Sequence, residues 1–527
     1  MNFHNKFTEI QTKKLFVAFI IVLITIFDRL YNIGRVGLWG DEVFTAVIGY
    51  QDQTIIEVIK GALSTPLPAP PLIYIVSHIW MKIVGFDDVL IRIPFVIAGS
   101  LGIPAIYLAG KSLYNKRAGI ISGLLLFFSS MHIFHSREAR YYPFLTLFTT
   151  LSVYFLNQAI RFKEIKWWVG FIITSTLNIF TFHTALFVLA AQGIYVFIVT
   201  MIELYSNQLK GLQGWKESDL AKYTLSLGLI TLFYSPLLPS LLSGLSNSRG
   251  LTSKDISGRF SSKFFLEGLI PNFFGGGDAP INVFILFALA GLFLFLKKHY
   301  MQSIQIALIF IFPFIVLEHI SIKHWVEFKY FIFILPLFLI LIAQGIENIA
   351  SLFTYISINE EASASLWPNM LTILFLIVVL SVNSRYYHRG YRQRADYWRE
   401  QGTFVNQILG SSDILVTYKK NHLITMTSQD MISLYFNPEN NSQEYVPIVS
   451  VSEDLSELLY TYDHVILHIS QKELENAKDI TSWIKNKVHI KLKFADFSMI
   501  YIGRDATLDE LKENIKDFKK FIDHGDY

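Results

Sequence analysis

The sequence predicts a polytopic α-helical membrane protein with a C-terminal α/β domain, and three observations support this fold class. Hydrophobic residues make up 52% of the 527 residues and charged residues only 17%, whereas about a quarter of the residues of a soluble protein are charged. The apolar residues form runs long enough to cross a bilayer. Beyond residue 384 the composition becomes that of an ordinary globular domain. We therefore predict a membrane domain over residues 1–384 and a soluble domain over residues 385–527.

The apolar runs and the basic residues between them define the predicted topology. The run after the polar, basic residues 1–14 lacks a small-residue cleavage site, which predicts an uncleaved first helix over residues 15–33. Lys and Arg clusters recur on every second connection, and such clusters are retained in the cytoplasm together with the N-terminus. We count about eleven spans, an odd number that places the C-terminal domain outside the cytoplasmic (inner) membrane. The connections predicted to face outwards are residues 34–89, 135–142, 241–280 and 319–329.

The bulk composition excludes several kinds of partner and site. A net charge of +3 is too small to indicate a nucleic-acid-binding protein. The absence of cysteine excludes disulfides and thiolate metal sites. Membrane lipids are the partners that the composition does imply.

The first outer connection, residues 34–89, has predicted structure of its own. Thr54 and Glu57 have the spacing of a capping box, which begins a helix. Apolar residues then recur on one face, which indicates a helix lying in the membrane interface, and four prolines from Pro66 to Pro71 end it. The alternative is a plain connector.

The C-terminal domain alternates helical and β-rich segments. Helical patterns cover residues 396–409, 454–460 and 471–485, and β-rich runs cover residues 414–417, 446–451 and 464–469. A second capping box, Thr507 with Glu510, begins a last charged helix. This alternation predicts a largely parallel sheet. Because the domain lacks a glycine-rich phosphate loop, we assign it no nucleotide, and a lid or an acceptor-docking module is the favoured role.

Two adjacent carboxylates, Asp41 and Glu42, follow the first apolar run in the stretch Leu38-Trp39-Gly40-Asp41-Glu42. A carboxylate at the partly desolvated edge of a bilayer is suited to accept a proton from an acceptor hydroxyl. The alternative is that both are ordinary solvated charges beyond the end of a span.

The short outer connection contains Arg137, Glu138, Arg140 and Tyr141. Guanidinium groups bind phosphate oxygens in a planar fork, and tyrosine rings offer flat faces to sugar C–H groups. The alternative is that the arginines bind lipid headgroups and the tyrosines form an aromatic belt. His183, near another predicted outer helix end, is either a binding residue or a hydrogen-bonded packing residue.

The last outer connection contains a denser polar group, which is His319, Lys323, His324, Glu327 and Lys329. Together with Asp41 and Glu42 these residues offer ligands for a divalent cation. Their spacing matches no recognised metal-binding pattern, so the sequence assigns no metal ligand and a divalent cation stays an open alternative.

Five short motifs in one order resemble the membrane glycosyltransferases of the GT-C fold, in the family 39 and protein mannosyltransferase-like group that includes the lipid A aminoarabinose transferases. The motifs are Trp39-x-Asp41-Glu42, Pro70-Pro71-Leu72-x-Tyr74, Ile91-Arg92-Ile93-Pro94, Asn115-Lys116-Arg117-Ala118-Gly119 and Arg137-Glu138-Ala139-Arg140-Tyr141. The close resemblance covers residues 38–156. It extends weakly through Phe328-Lys329-Tyr330 and Asp396-Tyr397-Trp398-Arg399.

The resemblance implies an inverting transferase that moves one sugar from a polyprenyl-phosphate donor to a glycan, lipid or protein acceptor on the outer membrane face. It implies that Asp41 is the general base and that Glu42 supports it. Arg140 and Lys329 are our candidates for stabilising the departing phosphate, with Tyr330 beside them, and Glu138 is expected to orient an arginine or to contact the acceptor.

This sequence also departs from the family pattern. Ala69 stands where the family commonly has His or Lys, Pro68 stands where the aminoarabinose group has a metal-binding acid, and Lys329 replaces an Arg. A flippase or other transporter of lipid-linked sugars is therefore kept as an alternative, although polar clusters lie in the predicted outer loops and no internal repeat is seen. A catalytically inactive scaffold of the same fold is the third interpretation.

Overall fold

The computed structural model describes the chain in segments, and the chain divides into two compact units. The segments are residues 2–64, 69–206, 218–247, 269–273, 281–293, 296–319, 328–357, 366–387, 398–408, 413–418, 446–448, 462–470, 474, 482, 484, 487, 489–494, 497–503 and 507–517. The first unit comprises Met1–Ile33, Ala62–Val76 and Arg92–Arg392. The second unit comprises Gly34–Gly61, Ser77–Ile91 and Gln393–Tyr527. The boundary between residues 384 and 385 stays a prediction.

Helices account for most of the described residues. In chain order they are α1 (Asn2–Leu30), α2 (Gly40–Ile48), α3 (Ile55–Ser64), α4 (Leu72–Val84), α5 (Ile93–Leu113), α6 (Lys116–Phe127), α7 (Ser130–Ser136), α8 (Tyr142–Phe162), α9 (Ile165–Thr181), α10 (Ala185–Tyr205), α11 (Asp219–Tyr234), α12 (Leu238–Asn247), α13 (Ile270–Phe273), α14 (Ile281–Phe293), α15 (Leu296–His319), α16 (Leu335–Ser357), α17 (Leu366–Tyr387), α18 (Trp398–Ile408) and α19 (Leu508–Asn514). Short 3₁₀ segments precede α5 and α16, at Leu90–Arg92 and Phe328–Ile334.

Several helices have the length and composition of membrane spans. Within the described segments four qualify, which are Leu90–Leu113, Ala185–Tyr205, Asp219–Leu242 and Phe328–Leu352. The pair α6 and α7, bent by 63°, would be a fifth if it forms one broken span. The prediction of a helical, multi-pass membrane protein is therefore confirmed, whereas the count of about eleven spans stays a prediction.

The first helix differs from its prediction at both ends. It covers Asn2–Leu30 rather than residues 15–33, because residues 2–14 contain neither proline nor glycine to stop a helix. It ends where Asn32 adopts a positive φ of 54°, a left-handed conformation that asparagine tolerates and that no helix continues.

Glycines allow α14 and α16 to approach closely. A Cβ atom on Gly345 would collide with the carbonyl oxygen of Phe287, and one on Gly291 would collide with that of Leu341. The two backbones therefore touch, as small residues permit in membrane helix pairs. This contact fixes α16, whose preceding 3₁₀ segment carries Lys329 and Tyr330.

The second unit contains a five-stranded mixed sheet with the order β2-β1-β3-β5-β4. The strands are β1 (Asp413–Tyr418), β2 (Val446–Ile448), β3 (His464–Ser470), β4 (His489–Phe494) and β5 (Phe497–Gly503). β1 pairs in parallel with β2 and β3, whereas β5 pairs antiparallel with β3 and β4.

The prediction of a largely parallel sheet is therefore wrong. Phe494 pairs with Phe497, and two intervening residues are too few for the crossover that parallel strands require. Strands β4 and β5 are additional to the three β-rich runs predicted from the sequence.

Other predicted elements of the C-terminal domain are present. Helix α18 and the first three strands occupy the predicted segments. Glu510 accepts a hydrogen bond from the backbone N–H of Thr507 at 2.7 Å, so the capping box is confirmed. The helical pattern at residues 454–460 and most of that at 471–485 lie outside the described residues.

Candidate functional site

Asp41 and Glu42 lie in the first turn of α2, in the second unit. The backbone N–H of Trp39 donates to Glu42 Oε2 at 3.3 Å, and the N–H groups of Glu42 and Val43 donate to the carbonyl of Trp39. Glu42 is fully buried, and Asp41 is partly exposed. Glu42 therefore defines the start of α2, whose positive end lies beside the Asp41 carboxylate.

The other end of α2 is fastened to its surroundings within the same unit. The carbonyl of Tyr50 lies 3.0 Å from His78 Nδ1 on α4. The side-chain amide of Gln53 donates to the carbonyl of Val47 at 3.0 Å. The start of α2 is thus capped by its own first turn, and the residues that follow its other end are bound to α4.

Arg137, in the connection between α7 and α8, is buried and binds backbone carbonyls. Its Nη1 donates to the carbonyl oxygens of Arg29 at 3.0 Å and Tyr31 at 2.6 Å. A second arginine, Arg92, donates to the carbonyl of Ile33 at 2.9 Å. These guanidinium groups bind one carbonyl in the last turn of α1 and two carbonyls in the residues that follow it. A substrate contact by Arg137 stays a prediction.

Glu138 is paired with a histidine that the sequence analysis did not assign a role. His135 Nδ1 lies 2.7 Å from Glu138 Oε2, and both side chains are nearly buried. The ring of His135 also contacts that of Tyr142, with centroids 4.4 Å apart. The spacing of three residues was the signal in the sequence that could have identified this pair.

Three rings, which we call the aromatic column, connect two predicted site segments of the first unit. Tyr141 stacks on Phe182 with centroids 4.0 Å apart and ring planes at 7°. Phe182 contacts Tyr330 at 5.6 Å. The aromatic column is therefore Tyr141, Phe182 and Tyr330, contributed by the start of α8, the end of α9 and the segment before α16.

A cation lies at each end of the aromatic column. The guanidinium carbon of Arg140 is 5.3 Å from the ring centroid of Tyr141, and Lys329 Nζ is 5.7 Å from that of Tyr330. Both distances are within the range of cation–π contacts. The structure thus brings together two predicted pairs that are far apart in the sequence, Arg140–Tyr141 and Lys329–Tyr330. Phe182, which has no predicted role, connects them.

His183 lies beside the aromatic column in the connection between α9 and α10. Its Nε2 is 3.0 Å from the hydroxyl of Tyr234 at the end of α11. Burial lowers the pKa of His183 to about 4, so the ring is neutral at physiological pH. This geometry fits a hydrogen-bonded packing residue, and substrate binding by His183 stays a prediction.

In the part of the chain that the structure describes, no three His, Asp or Glu side chains lie close enough together to coordinate a divalent cation. Lys323, His324 and Glu327 lie outside the described residues.

Comparison with known proteins gives matches in sequence and in fold. Residues 68–210 match the family model described as dolichyl-phosphate-mannose-protein mannosyltransferase. A protein of Aquifex aeolicus (strain VF5) is 29% identical over 197 residues, which are 36% of this chain and 38% of that protein. The chain thus matches less than half the length of this relative.

Solved structures match over nearly the whole chain. ArnT from Cupriavidus metallidurans in the apo state has a TM-score of 0.58 at 13% identity, covering 94% of this chain and 99% of that chain. The same protein bound to undecaprenyl phosphate gives 0.53 at 14% identity, with the same coverage. The oligosaccharyltransferase AglB from Archaeoglobus fulgidus, in complex with an inhibitory peptide and a dolichol-phosphate, gives 0.52 at 10% identity over 94% and 75% of the two chains.

At these identities the structural matches establish the fold. The resemblance found in the motifs is confirmed: the chain has the GT-C fold of membrane glycosyltransferases, and its residues 68–210 are similar to the dolichyl-phosphate-mannose-protein mannosyltransferases.

Proposed function

We propose that the protein is a glycosyltransferase that moves a single sugar from a polyprenyl-phosphate donor to a hydroxyl group of a cell-envelope glycan, lipid or protein. The observation that carries this proposal is the pair of cations, Arg140 and Lys329, at the two ends of one aromatic column. Structures of the same fold hold undecaprenyl phosphate or dolichol-phosphate, which supports a donor of that kind.

Arg140 and Lys329 are proposed to bind the donor phosphate. Lys329 is nearly buried, so its charge acts in surroundings where water screens it poorly. The ring of Tyr330 is partly exposed and offers a face to the sugar. The rings of Tyr141 and Phe182 are stacked on each other. Their proposed role is therefore mainly to set the distance between Arg140 and Lys329.

The proposed transfer needs one base and one stabilised leaving group. Asp41 accepts the proton of the acceptor hydroxyl while the hydroxyl oxygen forms a bond to the anomeric carbon of the sugar. The bond from that carbon to the phosphate oxygen breaks, and polyprenyl phosphate leaves with the electron pair. Arg140 and Lys329 stabilise the charge on the leaving phosphate. Attack opposite to the leaving group inverts the anomeric configuration.

In this proposal Glu42 holds α2 in place through its backbone hydrogen bond and is not itself a base. Transfer occurs on the outer face of the cytoplasmic membrane, in the membrane domain of residues 1–384. The domain of residues 385–527 serves as a lid or acceptor-docking module.

A direct test replaces Asp41 with Asn, which keeps the shape of the side chain and removes the base. With a radiolabelled lipid-linked sugar, Asp41→Asn membranes are expected to lose transfer by at least about a hundredfold while expression and insertion stay unchanged. The matched control is Asp52→Asn, an exposed carboxylate of the same connection, which is expected to transfer normally.

Other outcomes decide between the alternatives. An Asp41→Asn protein that retains most of its activity excludes Asp41 as the base. A wild-type protein that moves the lipid-linked sugar across vesicles without transferring it is a flippase. A wild-type protein that does neither is an inactive scaffold.

A further inference from the structure

The C-terminal domain makes a three-point contact with the connection that leads to Asp41, within the second unit. Arg399, the second residue of α18, donates from Nη1 to Asp88 Oδ2 at 3.3 Å and to the carbonyl of Gly34 at 3.4 Å. Its Nη2 donates to the carbonyl of Arg35 at 3.5 Å. The side chain of Asp88 is nearly buried. The guanidinium group of Arg399 thus links two carbonyls at the start of the connection of residues 34–89 to a carboxylate near its end.

Gly34 and Gly37 stand where a larger side chain would collide with neighbouring atoms. A Cβ atom on Gly37 would lie 2.8 Å from the Cβ of Arg399, and one on Gly34 would lie 2.7 Å from Cγ2 of Val89. Residues 34–37, which we call the clamped segment, therefore lie directly between α18 and the turn at residues 87–90.

The turn at residues 87–90 is held by three hydrogen bonds. Asp87 Oδ1 accepts hydrogen bonds from the backbone N–H groups of Val89 at 2.8 Å and Leu90 at 2.9 Å. The indole N–H of Trp80 donates to the carbonyl of Leu90 at 2.7 Å. Asp88 is therefore presented to Arg399 from a fixed backbone.

The clamped segment leads directly into α2. Leu38 is fully buried and Trp39 nearly so, and Glu42 caps the helix on the backbone of Trp39. Only three residues lie between Gly37 and Asp41, so a displacement of the clamped segment would be passed on to the start of α2.

We propose that Arg399 is a positioning residue for Asp41, which gives the C-terminal domain a part in the transfer step in addition to its role as a lid or acceptor-docking module. This inference rests on the proposed role of Asp41. A guanidinium can serve the three acceptors through two nitrogens in a planar fork, whereas the single ammonium of lysine cannot reproduce that geometry.

The kinetic test uses Arg399→Gln and Arg399→Lys. Both are expected to lower kcat by about tenfold or more, since a misplaced catalytic group costs up to about a hundredfold. The KM for the donor is expected to stay within about twofold, because Asp41 acts on the acceptor. The matched control is Lys516→Gln, which removes a cation of the same domain from an exposed ion pair with Glu513 and is expected to leave both constants unchanged. Full activity of Arg399→Lys overturns the inference.

A second readout does not depend on activity. Amide hydrogen exchange over residues 34–47 is expected to rise at least about fivefold in Arg399→Gln and in Asp88→Asn, and no further in the double variant. If exchange in Arg399→Gln is unchanged, Arg399 does not hold the clamped segment and the inference is overturned. If exchange rises but kcat is unchanged, the clamped segment does not position Asp41, and the inference is likewise overturned. A wild-type protein without transfer activity overturns the proposed function instead, and the exchange data still decide whether the clamp exists.

Discussion

Replacing Phe182 tests whether the aromatic column holds the two cations in a productive arrangement. Phe182→Leu keeps an apolar side chain but removes the stack on Tyr141 and the contact with Tyr330. An aromatic pair contributes about 0.5–1.5 kcal/mol beyond its buried area, so losing both contacts costs about 1–3 kcal/mol. If that energy maintains the separation of Arg140 and Lys329, kcat/KM for the donor falls by about fivefold to 150-fold.

The assay is the initial rate of transfer from a radiolabelled polyprenyl-phosphate sugar over a range of donor concentrations. Phe182→Tyr keeps the ring and is expected to stay within about twofold of the wild type. Phe144→Leu, which removes an edge-on contact with Phe95 at 5.5 Å in the same unit, controls for a general loss of packing. A Phe182→Leu protein with wild-type kcat/KM would refute the reasoning.

Three further predictions concern stability. Arg137→Gln removes two charge-assisted hydrogen bonds to the end of α1 and is expected to lower the free energy of unfolding by about 2–4 kcal/mol with an unchanged donor KM; a raised KM at constant melting temperature would instead place Arg137 at the donor. Gly345→Ala forces a methyl group against the carbonyl of Phe287 and is expected to lower the melting temperature in detergent, whereas Gly228→Ala meets nothing within 4 Å and is not. The pKa of His183 is lowered by burial to about 4 in the folded protein, whereas it is about 6.5 in the unfolded chain. Between about pH 6.5 and pH 4, protonation of His183 therefore favours the unfolded chain. Stability is therefore lost over that range, and equal acid sensitivity in His183→Gln would contradict the assignment.

The features that the sequence predicted depend on local patterns. Apolar runs identify membrane helices because a bilayer selects for length and composition. The capping boxes at Thr54 and Thr507 were found because their partners lie three residues away, and both are formed, with Glu57 and Glu510 accepting from the cap backbone at 2.7 Å. The capping of α2 by Glu42 was missed because Trp39 has no side-chain oxygen and is not a typical cap.

The features that the sequence could not predict depend on contacts between distant segments. Phe182 joins Tyr141 to Tyr330, and no periodicity marks one phenylalanine among the 45 in the chain. Arg137 donates to carbonyls that lie 106 and 108 residues earlier in the chain, and no local pattern in the sequence marks such a contact. The antiparallel half of the sheet depends on the pairing of β5 with β3 and β4, and a short apolar run does not by itself show whether it forms a strand.

The sheet of the second unit has consequences for self-association. Within the described residues its outermost strands are β2 and β4. β2 contains Pro447, which has no N–H to offer to a neighbouring chain, and β4 carries Lys491 and Lys493, whose charges would repel a second copy of the same strand. Both edge strands are thus unsuited to pairing with an extended peptide or to starting a fibril. Any acceptor that this domain receives is accordingly expected to be held by side chains and not by a shared backbone ladder.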